Sequence, residues 1–249
     1  MKRGQVTLFI ILGILIVAVA GAAFYYKGEF LKSSLLSITK AEVFPENIQL
    51  LKDEVSSCYL KTAQEGLVLL GRQGGYIFPP EGSLETGANI ISYAYDKKPN
   101  VPSLQTMAGE LQEYVDLMLP LCLDFELYSN LNVDESTPKT VVSISEDNVK
   151  FSTNYPLLLT SGNDTFKISE PYSTTMDVKL GMLHDATAKI ITKVAQKPDT
   201  VDPEYLLTLG MPISVVPYDK DTTVYLLRDA ESKLPIGDEP LVYMFATKK

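Results

Sequence analysis

Val142-Ser143-Ile144-Ser145-Glu146-Asp147-Asn148-Val149-Lys150-Phe151 decides the fold class of this chain. Val142 and Ile144 alternate with Ser143 and Ser145, the period of a half-buried strand. Glu146-Asp147-Asn148 supplies turn residues, and Val149–Phe151 begins a return strand. An antiparallel hairpin therefore sits near the middle of the sequence. Downstream, Asp164–Ile168 reads as another strand. Ile213 and Val215 pair with Tyr225 and Leu227 around the turn Tyr218-Asp219-Lys220-Asp221, and Leu241, Tyr243 and Phe245 alternate in a final strand. One strong amphipathic helix, Val178 to Ala195, interrupts the strands. It carries Leu180, Leu183, Thr187, Ile190, Ile191 and Val194 on one face and stops before Pro198. Asp202-Pro203-Glu204 opens a short helix.

Upstream the period changes to that of helices. Pro45-Glu46 starts one, with Ile48, Leu51, Val55, Cys58 and Tyr59 as its apolar stripe and Gly71 or Gly74 as its stop. Ile90 to Tyr95 reads as a short strand. Ser103 caps a further helix whose apolar positions are Leu104, Met107, Leu111, Tyr114, Val115, Met118 and Cys122, with Pro120 late in it. Helices come first and strands follow around one long helix, so the fold class is α+β with an antiparallel sheet. A polar stretch at 130–138 marks a soft boundary between a mainly helical lobe, 45–130, and an α+β lobe, 139–249.

The chain has 249 residues, 22 Lys+Arg against 31 Asp+Glu, and a formal net charge of −9. With 45% hydrophobic residues it has the material for a packed core. The acidic balance points away from nucleic acid, whose phosphates need a basic face. One His, two Cys and no Trp leave little for metal or histidine chemistry, and no cofactor is expected.

Val6 to Tyr26 is a run of 21 residues without a charge. As a helix it would be about 32 Å long, close to the hydrocarbon thickness of a bilayer. Lys2 and Arg3 precede it, so the positive-inside rule puts residues 1–5 in the cytoplasm and 27–249 outside. The organisation expected is a cytoplasmic stub and transmembrane helix at 1–26, a membrane-proximal stalk at 27–44, and an extracellular remainder. The lipid bilayer is then the first partner. A cleaved secretory signal, cut within Ala20-Gly21-Ala22-Ala23, is the competing reading. The length of the apolar run and the Tyr25-Tyr26 pair that follows favour a retained anchor.

Lys2-Arg3-Gly4-Gln5-Val6-Thr7-Leu8-Phe9 resembles the class III signal peptides of archaeal surface proteins and type IV pilin-like subunits. The resemblance implies cleavage between Gly4 and Gln5, retention of the hydrophobic helix, and self-assembly or association with other envelope proteins. Phe9 departs from the pattern, since pilins usually carry Glu there. The whole chain also resembles N-terminally anchored surface proteins of small-genome archaea.

Outside a cell the environment is oxidising, so Cys58 and Cys122, each on an apolar helix face, are expected to form a disulfide; two separate buried thiols are the alternative. Asn163-Asp164-Thr165 matches the N-glycosylation tripeptide and follows the polar pair Ser161-Gly162, which makes Asn163 a candidate glycan acceptor. No phosphate-loop, nucleophile-elbow or zinc-protease pattern is present. His184 has only Asp185 beside it, and adjacent residues do not face each other on a helix. The sequence thus reads as a non-enzymatic, single-pass surface protein with a structural, adhesive or pilin-like role. A membrane-tethered enzyme or solute-binding module is the alternative.

Overall fold

The computed structural model describes residues 45–249. The expected transmembrane helix, the stalk and the Gly4–Gln5 cleavage site lie outside the described residues. No helix among the described residues is long and apolar enough to cross a membrane.

Helix α1 (Glu46–Arg72) begins where Pro45-Glu46 places it, and Ile48, Leu51, Val55, Cys58 and Tyr59 are all buried along it. Its end follows from Gly74 and Gly75, at φ 77° and 91°, in the left-handed region that glycine enters freely. The Gly75 N–H donates to the Leu70 carbonyl (2.9 Å) and so closes the last turn. Four short strands follow: β1 (Leu84–Glu85), β2 (Ile90–Ile91), β3 (Tyr93–Asp96) and β4 (Lys98–Pro99). Helix α2 (Leu104–Cys122) is capped by Ser103, whose hydroxyl accepts from the Thr106 N–H at 3.1 Å. Its buried stripe is Met107, Leu111, Val115 and Leu119. Met118, expected inward, is exposed, because the stripe continues at a spacing of four from Val115 to Leu119, which holds the inner position. Cys58 and Cys122 are disulfide-bonded, and a Cβ on Gly66 would meet the Tyr114 ring, so α1 and α2 run antiparallel.

Two small antiparallel sheets occupy the middle of the chain. One has the order β10 (Tyr172–Met176), β7 (Val149–Asn154), β6 (Lys139–Ile144), with the expected hairpin at its centre. The other has the order β5 (Asn132–Glu135), β8 (Leu157–Ser161), β9 (Asp164–Ile168). Strand β5 falls inside the stretch that composition marks as a boundary, and Glu46–Lys249 forms one compact unit. α2 reaches the first of these sheets through Gln112, whose side-chain oxygen accepts from the Val142 N–H at 3.2 Å.

The largest sheet has the order β11 (Ile213–Pro217), β12 (Thr222–Arg228), β13 (Val242–Lys248), β3, β4. β13 and β3 run parallel, so this sheet is mixed rather than antiparallel. The two strands are far apart in sequence, and the intervening chain supplies the long crossover that parallel pairing needs. On one face, Val224 and Ala246 pack with Leu84 and Ile91 of the small β1–β2 hairpin. The opposite face carries the aromatic row Tyr225 and Phe245, with rings stacked at 5.0 Å.

Helix α3 (Leu180–Gln196) buries Leu183, Ile190, Ile191 and Val194, the face its sequence predicts. The N-cap position, Lys179, makes no side-chain capping hydrogen bond. Asp229, just past β12 and buried, accepts from the Lys179 N–H at 2.7 Å and takes that role. Helix α4 (Pro203–Leu207) is capped by Asp202, as the Asp-Pro-Glu run implies.

Candidate functional site

A groove of about 690 Å³ lies where α3 and α4 meet the sheet. Its apolar lining includes Ile190 and Val194 of α3 and Tyr225 of β12. Stacking on Phe245 fixes the Tyr225 ring, and burial pushes its hydroxyl pKa up. Lys193 Nζ stands over the Tyr205 ring, 4.8 Å from its centroid, a cation–π contact between the two helices. The Asp202 carboxylate is engaged in capping α4, accepting from the Tyr205 N–H at 3.0 Å. The groove therefore offers apolar contact with a rim of mixed charge, Lys193 and Lys197 against Asp202 and Glu204. No nucleophile stands beside a base there, and its volume is in the range of small-molecule sites.

A second cavity, of about 370 Å³, lies between α1 and β10. Lys52, Ser56, Tyr59, Glu170 and Tyr172 line it. Ser56 and Lys52 are one helical turn apart, the spacing of a Ser–Lys pair. The Ser56 hydroxyl instead donates to the Lys52 carbonyl (2.8 Å), while Lys52 Nζ pairs with Glu170 (3.1 Å). Tyr59 and Tyr172 are buried here with ring centroids 6.1 Å apart, and neither hydroxyl has a well-formed hydrogen bond. Burial pushes both up to about 12; for Tyr59, Thr153 pulls back slightly, and for Tyr172, Glu170 adds to the rise. Thr153 is itself paired with Thr140 at 2.8 Å.

Tyr128 donates to Glu54 of α1, and burial, with this carboxylate, pushes it up to about 12. Tyr155 donates to Glu135 and is raised by the same two causes. These contacts hold the chain after α2 against α1 and β5 against β7's end.

His184 is half-buried, and its Nε2 bonds the Pro102 carbonyl at 2.8 Å, which makes it an N–H donor there. Asp185 pairs with Lys189 (2.6 Å) and leaves the imidazole alone. Asp219 accepts from the N–H groups of Asp221 (2.8 Å) and Thr222 (2.7 Å), which hold its carboxyl below the usual range. It shapes the hairpin turn rather than a cation site. Among the described residues, no cluster of three His, Cys, Asp or Glu is placed to hold a metal ion.

Asn163 stands with Gly162 in the two-residue turn between β8 and β9, and both Asn163 and Thr165 are exposed. Gly162 at φ 61° gives that turn its geometry. Sequence reasoning located this turn, the disulfide and the caps. It missed the groove, because Lys193, Tyr205 and Tyr225 come together only through tertiary packing; the Asp202-Pro203 start of α4 was its one local signal.

Comparison of the chain with protein-family models, with curated proteins and with solved structures finds no match.

Proposed function

We propose that this chain is a single-pass, membrane-anchored surface protein. Its α+β part faces the cell exterior and serves a structural, adhesive or assembly role. The observation that carries the reading is the Cys58–Cys122 disulfide, which ties α1 to the end of α2. Such bonds persist in oxidising surroundings and are rare in a reducing cytosol. The 21-residue uncharged run at Val6–Tyr26, with Lys2 and Arg3 before it, supports an anchor whose C-terminal side is outside. Exposed Asn163 at a hairpin tip suits a glycan acceptor on that side, and the Gly4–Gln5 junction suits a class III cleavage site.

Protease added to intact cells tests the reading. The account expects degradation of the 45–249 part while a cytoplasmic marker survives. Full protection until the cells are lysed overturns it.

The α3–α4 groove favours a second reading, a tethered solute-binding module. That reading requires a small molecule to co-purify with the full chain in native mass spectrometry and to be lost in Tyr205→Ala. Its absence in both leaves the structural role standing.

A further inference from the structure

Strand β11 ends the largest sheet, and among the described residues no strand pairs with its outer side. Which backbone groups face outward follows from the ladder. The Arg228 N–H donates to the Pro212 carbonyl and the Tyr218 N–H to the Thr222 carbonyl, each at 3.0 Å. Bonded and non-bonded pairs alternate in an antiparallel ladder. The register pairs Ser214 with Leu226 and Val216 with Val224, so these even-numbered residues bond β12. Ile213, Val215 and Pro217 then turn their backbone groups outward. The outer side offers the N–H groups of Ile213 and Val215 and the carbonyls of all three. Pro217 has no N–H.

We propose that β11 is a pairing edge for a second copy of this chain. The two β11 strands run antiparallel about a two-fold axis, Val215 opposite Val215 and Ile213 opposite Pro217. In this register each Val215 N–H meets the other copy's Val215 carbonyl, and each Ile213 N–H meets a Pro217 carbonyl. All four outward N–H groups find acceptors, and the missing proline N–H leaves no donor stranded. A slide by two residues, with Ile213 opposite Val215, also pairs the four donors but covers less of the strand.

Three observations favour a copy of the same chain over an unrelated peptide. The strand Ile213-Ser214-Val215-Val216-Pro217 carries no charge, so nothing in it repels its own image. Val216, 49% exposed, lies opposite Ser214 of the second copy and is covered by it. The antiparallel arrangement also brings the turn Asp219-Lys220-Asp221 of one copy, with two carboxylates against one lysine, to the end of the ladder where the other carries exposed Arg228. The product is a sheet continuous across the two-fold, an isologous contact of the kind most homodimers use. An anchor in one membrane would raise the local concentration that favours such pairing. Here the inference takes the assembly role proposed above as its setting, but the contact itself does not depend on location.

The test is sedimentation of the full chain in detergent micelles. Val215→Pro removes an outward N–H and leaves the β12 ladder intact; an edge strand tolerates proline at such a position. The expected result is a dimer that Val215→Pro weakens on the order of tenfold or more, from two lost hydrogen bonds, with the melting transition retained. Val216→Pro, which removes a ladder N–H, should instead lower the melting transition. A second measurement does not depend on the proline variant folding. Ser214→Cys combined with Val216→Cys should form intermolecular disulfides on mild oxidation, since those positions face each other across the non-bonded pair. A monomeric full chain, a dimer unaffected by Val215→Pro, or crosslinking by Ser214→Cys alone in place of the double variant overturns the proposal. Protease shaving of cells reports on location alone, so failure of that reading and failure of this one are separable.

Discussion

Tyr59 and Tyr172 show how much a single buried hydroxyl can set. Both are held near pKa 12 by burial, against an ordinary value of 10.0, and Tyr128 is raised as far by burial and Glu54. A raised pKa in the folded state means the unfolded chain loses its phenolic protons first. Below pH 10 both states keep them, and the stability is fully present. Between about pH 10 and 12 only the unfolded state ionises, so stability falls as pH rises through that window. From neutral pH the melting temperature should therefore be flat up to about pH 10 and drop steeply beyond it, and Tyr59→Phe should soften the drop. A phenolate absorbance titration that shows all tyrosines ionising near pH 10 without unfolding would contradict this. Asp229 acts at the same scale. It is buried, accepts from the Lys179 N–H, and accepts from Ser232 N–H at 3.3 Å. Asp229→Ala should cost about 1.5–3 kcal/mol, the range for hydrogen bonds to a charged group, read as a shift in denaturant midpoint.

At the scale of elements, close approach governs. A Cβ on Gly71 would stand 2.4 Å from the Val242 carbonyl of β13, and one on Gly181 2.4 Å from the Ser145 carbonyl in the β6–β7 turn. Gly71→Ala must push α1 off the sheet and should cost about 1–3 kcal/mol by overpacking. A variant as stable as the parent in chemical denaturation would show that α1 does not sit this close. Helices and their ends were legible in sequence because caps are local: Pro45-Glu46, Ser103 and Asp202-Pro203 all mark true starts. Strands were most legible where one face is buried and the other wet, as in Val149–Asn154. Strand β5 is almost wholly exposed and acidic, so it reads as a linker. Strand β10, Tyr172-Ser173-Thr174-Thr175-Met176, is too polar to signal a core face. Parallel pairing of β13 with β3 leaves no local trace, and the groove beside Tyr225 depends on that same non-local packing.

For the whole molecule, the disulfide is the covalent link between the α1–α2 pair and the account of location. It closes a separation of 64 residues, and the chain-entropy model assigns such a loop about 4 kcal/mol. Cys58→Ser with Cys122→Ser should therefore lower unfolding stability by roughly that amount, while the α+β circular-dichroism signature persists. The same bond makes location measurable. Full-length protein taken from the native membrane fraction, alkylated without reductant and weighed intact, reports the N-terminus, any mass added at Asn163 and both thiols at once. The account predicts a chain in the membrane pellet that begins at Gln5, takes up no alkylating reagent and gains two adducts only after reduction. A chain in the soluble fraction, with Cys58 and Cys122 both alkylated before reduction, would contradict it.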